Sequence, residues 1–219
     1  VQQGKRSYLS TSRRKISAQR SFYQPFIKDG ATIYPRNFWF VQFEADPRFG
    51  IDPTQPLVAT DTRADAEAKE PYKGIRLKDP VEAEFLYASL LSTDLVPFGH
   101  FEFRPVVLPL LEDAHGYELL NAEQARTKGY LKLAQWLQRV QEIWTRKRKE
   151  KARKGDALSW LNYRNKLTDQ NPRAKYLVLY PKSATFLCAA AVRAKSITHA
   201  IDSQEVVLRR FVPDHVTFF

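Results

Sequence analysis

The 219 residues include one cysteine, eight glycines and no methionine. Each shortage excludes something. Cys188 alone cannot close an internal disulfide or build a CxxC metal knuckle, which fits a reducing, cytoplasmic setting. The glycines (Gly4, Gly30, Gly50, Gly74, Gly99, Gly116, Gly129 and Gly155) are all at least 13 residues apart. Neither a GxGxxG fingerprint nor a P-loop can be written from them, so neither standard phosphate cradle is present. There is no GxSxG elbow and no HExxH. His100 and Glu102 form an H-x-E without the PCxxC that a zinc deaminase also needs. Asp52 followed by Glu67-Ala68-Lys69 loosely matches the D…ExK of metal-dependent nucleases, but that pattern needs a buried strand and RADAEAKE does not read as one. Apolar runs such as Phe186 to Val192 fall far short of the roughly 20 residues of a membrane helix, so no membrane partner is expected. Without an initiator Met, Val1 is expected to lie inside a longer or processed chain.

What is present is hydrophobic, aromatic and basic. Hydrophobic residues make up 43% and aromatics 13%, which argues against wholesale disorder. The length fits one large domain or two small ones, enough to bury about 70% of the unfolded surface. Lys and Arg number 35 against 24 Asp and Glu, a net 35 − 24 = +11. The excess is concentrated. Residues 1–28 carry Lys5, Arg6, Arg13, Arg14, Lys15, Arg20 and Lys28 and no acid. Residues 145–154, TRKRKEKARK, set seven bases against Glu150. Residues 44–70 run the other way, with seven acids and three bases. Two basic blocks suggest an anionic partner, nucleic acid first and acidic lipid second; a solvated charged surface is the plain alternative. The Arg- and Ser-rich, acid-poor start also has the composition of an organellar transit peptide.

Pattern along the chain predicts an α+β fold, with mixed or antiparallel sheets and one long amphipathic helix. Residues 1–28 form a basic segment, 29–120 a β-rich part with one short helix, 121–170 a helical basic part, and 171–219 a β-rich part cut off at its C-terminus. Residues 29–219 are expected to make one domain. ATIYPRNFWFVQF at 31–43 reads as a strand that Pro35 confines to an edge or bulge. Residues 44–73 read as a long acidic excursion. Pro80 opens a predicted helix over VEAEFLYASLL, on a stripe of Val81, Phe85, Ala88 and Leu91. Residues 100–111 and 117–120 read as a broken strand and its hairpin partner. Asn121 and Gln124 form a capping box, and Gly129 ends that helix. Tyr130, Leu133, Leu137, Val140 and Trp144 then mark one helical face. Helix formers continue past Trp144, predicting a cationic rod that leaves the core and runs through Lys154. Gly155 and Asp156 read as a stop and a new cap. KYLVLYP, ATFLCAAAV, QEVVLRRFV and HVTFF read as strands.

Three strings carry a resemblance: GATIYPRNFWFV at Gly30–Val41, LVPFGHFEFRPVVLPLL at Leu95–Leu111, and NYRNKLTDQNPRAKYLVLYPKSATFLCAAAV at Asn162–Val192. Their order resembles the C-terminal, target-recognition region of bacterial adenine-specific DNA methyltransferases of restriction–modification systems. The family's catalytic Asn/Asp-Pro-Pro-aromatic motif does not occur, since no two prolines are adjacent, and neither does its Gly-rich loop for S-adenosylmethionine. The resemblance implies a non-catalytic region that holds double-stranded DNA, with the catalytic domain and its S-adenosylmethionine lying before Val1. No cofactor or catalytic residue is assigned to this chain itself. A methyltransferase flips its target base out of the duplex, so a second surface must hold the flanking DNA. Cations on phosphates give affinity and side chains at base edges give specificity. Backbone candidates are Arg13, Arg14, Lys15, Arg146, Lys147, Arg148, Lys149, Lys151, Arg153 and Lys154. Base-reading candidates are Arg36 and Asn37, which can make bidentate contacts to guanine and adenine; a structural pair beside Pro35 is the alternative, with the reading surface then in 44–73 or 193–199. Trp136, Trp144 and Trp160 are expected in the core. Two other functions stay open: an RNA-binding or structural module of a ribonucleoprotein or organellar assembly, and a protein-interaction subunit.

Overall fold

The computed structural model describes residues 2–3, 6–7, 22, 24–113, 116–148, 155–181, 188–195, 197–201, 204–214 and 216–218. Strands β1 (Gln2–Gln3) and β2 (Arg6–Ser7) form a short ladder of their own. β3 (Lys28–Asp29) leads into the first departure from the sequence pattern. Residues 31–43 are not one strand. A single helical turn, α1 (Arg36–Trp39), interrupts them, with Phe40 N–H bonded to the Arg36 carbonyl at 2.8 Å. Only β4 (Val41–Phe43) is extended. Asn37, Phe38 and Trp39 are all buried in this turn.

The acidic excursion is structured as well. It contains β5 (Leu57–Thr60) and α2 (Thr62–Glu67), whose N-cap Asp61 accepts from Ala64 N–H at 3.1 Å. β6 (Lys78–Pro80) completes the antiparallel order β4-β5-β6. The helix expected over 81–91 is replaced by a 3-10 turn at Ala83–Phe85 and strand β7 (Leu86–Ser89). All four β7 residues are buried, so no period of two survives to be read. The backbone at 209–212 pairs with β7 at one edge, through Arg209 N–H to Leu86 O and Ala88 N–H to Arg210 O. β8 (Leu95–Val96) and β9 (Gly99–His100) form a small hairpin, and β10 (Arg104–Val107) pairs with the other edge of β7. β11 (Leu110–Glu112) and β12 (Tyr117–Leu119) form the expected hairpin.

The capping box at Asn121 is present, with Gln124 N–H on Asn121 Oδ1 and Asn121 N–H on Gln124 Oε1, both at 2.8 Å. It opens α3 (Ala122–Thr127), and Gly129 at φ 89° turns the chain where a Cβ would be strained. The long helix α4 (Leu131–Lys147) follows. Leu133, Trp136, Leu137, Val140 and Trp144 are buried along its stripe. Glu82, far away in sequence, caps its start by accepting from Lys132 and Leu133 N–H at 2.8 Å each. Its negative charge also suits the positive end of the helix. α4 ends at Lys147, with Arg148 extended at ψ 138°, and residues 149–154 of the expected cationic rod lie outside the described residues. Asp156 caps α5 (Ala157–Leu161).

The last part is β13 (Tyr176–Pro181), β14 (Ala190–Arg193), β15 (Ile197–Ile201), β16 (Gln204–Leu208) and β17 (Val216–Phe218). β15 occupies part of the expected 193–199 loop and pairs with β16. The antiparallel sheet β14-β13-β17-β3 joins this part to the start of the described chain. One buried apolar cluster runs from Ala31 to Phe218 and includes Trp39, Tyr87, Trp136 and Trp144. The result is an α+β fold with antiparallel sheets and one long helix.

Candidate nucleic-acid interface

Asn37 is fully buried, and its Nδ2 donates to Tyr72 O at 2.6 Å and Ile75 O at 3.2 Å. Both amide hydrogens are engaged, so the side chain cannot present the donor–acceptor pair that adenine recognition needs. This corrects its assignment as a base reader. Asn37 is an internal clamp tying α1 to the 72–75 turn. The same turn is held by Thr60, whose hydroxyl donates to Asn37 O and accepts from Leu77 N–H, both at 2.9 Å.

Arg36 remains at the surface. Its Nη1 pairs with Glu67 at 2.6 Å, and the side chain is 29% exposed. Glu67 therefore serves Arg36 rather than a D…ExK metal site, and Asp52 caps its own loop through Thr54 and Gln55 N–H. Among the described residues no cluster of His, Cys, Asp or Glu could hold a metal ion.

Arg36 opens onto a pocket of about 210 Å³ lined by Tyr34, Pro35, Asn37, Lys69 and Tyr72. The pocket's wall is aromatic. Tyr34 meets Tyr72 edge-on at 6.0 Å, Tyr72 stacks on Trp144 at 5.3 Å, and Trp160 lies 6.2 Å from Tyr34. Trp136 and Trp144 are core residues as expected, whereas Trp160 is 37% exposed at the margin. Burial raises the Tyr34 hydroxyl, and burial together with Tyr34 pushes Tyr72 up to about 12 against the opposing charge of Arg148. Both phenols therefore stay protonated near neutral pH and act as donors.

The end of α4 comes to the same place. Trp144 Nε1 and Arg148 Nη1 both donate to Gly155 O at 3.1 Å, which holds Arg148 in the field of Tyr72. Arg146 and Lys147 are exposed, and neither pairs with an acid among the described residues. Thus Arg36 and Lys69 line one aromatic pocket together with Glu67, and Arg148 lies within the electrostatic reach of its Tyr72 wall. Of the other backbone candidates, Arg13, Arg14, Lys15, Lys149, Lys151, Arg153 and Lys154 lie outside the described residues.

Sequence pattern did not reveal Tyr34, Lys69 or Tyr72, because only tertiary packing brings them together. It also did not reveal the 162–168 loop. Arg164 and Asn165 adopt left-handed backbone there, at φ 56° and 58°, while Arg164 lies 5.2 Å from the centre of the Tyr163 ring. Asn162 Oδ1 fixes the loop by accepting from Leu167 and Thr168 N–H at 3.2 Å. Asparagine tolerates that conformation but arginine does not favour it, and nothing in the one-dimensional pattern marks Arg164.

Among the described residues no helix is long and apolar enough to cross a membrane. No family model, curated protein or solved structure matches the chain.

Proposed function

We propose that this chain is a non-catalytic DNA-binding module, the target-recognition part of an adenine-specific DNA modification methyltransferase. The observation that carries the proposal is the aromatic Tyr34–Tyr72 pocket with Arg36 and Lys69 in its lining and Arg148 acting on Tyr72. With it go the exposed Arg146 and Lys147, unpaired among the described residues, at the end of the same helix α4. Cations in one patch neutralise phosphates, and aromatic faces with hydroxyl donors suit the edge of a sugar or an unstacked base. The sequence resemblance supplies the methyltransferase part of the proposal, with S-adenosylmethionine belonging to the catalytic partner.

The experiment is fluorescence anisotropy with duplex DNA and with double-stranded RNA of the same sequence, at low salt. Duplex DNA bound tighter is the expected result. Preference for RNA duplex would overturn the proposal in favour of a ribonucleoprotein role, and no binding to either would favour a protein-interaction role.

A further inference from the structure

The sheet β14-β13-β17-β3 has one face that the pocket does not involve. On β13 the burial alternates, with Tyr176 and Val178 68% and 37% exposed while Leu177 and Leu179 face the core. Register places Arg193 directly across from Tyr176, and Ala191 across from Val178. Side chains directly opposite one another on adjacent strands share a face. Arg193 and Ala191 are therefore exposed beside Tyr176, and Lys195 follows Arg193 two residues on with the same parity. Arg173 and Lys175 are exposed where the chain enters β13, at the parity of Leu177, so they flank the end of the row rather than share its face. Tyr180, half-buried, continues the same row.

Charge distinguishes this face from most of the surface. Residues 170–201 contain five bases and not one acid, and Asp29, which register puts on this face across Thr217 from Tyr180, pairs with Lys166 at 2.7 Å. Several cations elsewhere are matched, as in Arg36–Glu67, Arg76–Asp65, Lys78–Glu44, Lys128–Glu118 and Arg139–Asp79. Arg146 and Lys147 at the end of α4 form a second group unmatched among the described residues. None of Arg173, Lys175, Arg193 and Lys195 pairs with an acid among the described residues. Arg193 and Lys195 beside an exposed aromatic ring, with Arg173 and Lys175 at the end of the row, match the two needs of an unpaired nucleic-acid strand: phosphate neutralisation and a surface on which a base can stack. Duplex DNA has its base faces occupied and cannot use the ring.

We propose that this sheet face binds a single nucleic-acid strand, with Tyr176 stacking on a base and Arg173, Lys175, Arg193 and Lys195 contacting the flanking phosphates. The site is separate from the Tyr34–Tyr72 pocket and does not depend on what that pocket takes.

The test measures binding of the full chain to labelled oligothymidylate and oligouridylate of about 15 nucleotides, and to an abasic strand of equal length. Tyr176→Ala is expected to weaken binding to both base-bearing strands roughly five- to a hundred-fold, with Tyr176→Phe close to wild type. Binding of the abasic strand and of duplex DNA should not change in either variant. Alanine at the four cations should flatten the salt slope by about 0.7 for each phosphate no longer neutralised. Equal or tighter binding of oligothymidylate assigns a DNA strand to the face, and tighter binding of oligouridylate assigns an RNA strand. The proposal is overturned if Tyr176→Ala binds all strands as wild type does, or if wild type holds the abasic strand as tightly as the others. Because Tyr176 is largely exposed, its substitution leaves the fold intact, which circular dichroism checks.

Discussion

Replacing Asn37 by alanine is expected to destabilise the fold rather than alter recognition. The amide donates two hydrogen bonds, at 2.6 and 3.2 Å, to carbonyls of Tyr72 and Ile75. Alanine would leave both acceptors without that donor, and an unsatisfied buried polar group costs about 1–3 kcal/mol. Asn37 is fully buried, so water cannot replace the donor without opening the turn. Tyr72 O keeps Ile75 N–H at 3.3 Å, and alanine also removes Asn37 Oδ1, which is buried with no hydrogen-bond partner among the described residues. The net loss therefore comes to about 1–3 kcal/mol, a sizeable fraction of the roughly 5–15 kcal/mol that holds a domain together. With a urea slope of about 2 kcal/mol/M, the unfolding midpoint should fall by about 0.5–1.5 M. Urea titration followed by tryptophan fluorescence measures it directly, because Trp144 stacks on Tyr72 beside the clamp. A base-reading residue on a free surface would leave the midpoint nearly unchanged. A shift below about 0.5 kcal/mol, typical of surface substitutions, would refute the clamp.

Three further outcomes rest on other side chains. Asp94→Asn should cost about 3–5 kcal/mol in the same titration, because Asp94 receives Arg104 Nε and Nη2 at 2.9 and 2.8 Å and both side chains are nearly buried. Glu82→Ala should cost about 2 kcal/mol by uncapping α4, and Glu82→Gln should recover part of it by keeping the acceptor oxygen. His199 titrates below its ordinary value because burial outweighs the pull of Glu102. The unfolded state therefore binds its proton first as pH drops. Stability from His199 is full above about pH 6.5 and declines as pH falls below it, and His199→Gln should flatten that slope.

Legibility in the sequence followed the range of the interactions. The caps at Asn121 and Asp156 and the stripe of α4 are local, with periods of three and four residues, and they could be read directly. β7 could not, because burial on both faces erases its alternation and leaves Val81, Phe85 and Ala88 at a helical spacing by coincidence. Arg36-Asn37 illustrates a deeper ambiguity. The same dipeptide suits a base reader and an internal clamp, and only the carbonyls of Tyr72 and Ile75 decide between them. The pocket depends on Tyr34 and Arg36 meeting Lys69 and Tyr72 from the far end of the 44–73 excursion, so no local period reveals it.

The salt dependence of duplex DNA binding tests the central proposal most directly. Each neutralised phosphate contributes about −0.9 to the slope of log K against log salt. Engagement of Lys69, Arg146, Lys147 and Arg148, with Arg36 already matched by Glu67, therefore predicts a slope of about −3 to −4 for the wild-type chain. Alanine at both Arg146 and Lys147 should flatten it by about 1.8 while weakening all duplex sequences alike. A wild-type slope near zero, or a double variant with the same slope as wild type, would contradict the placement of the duplex at the end of α4.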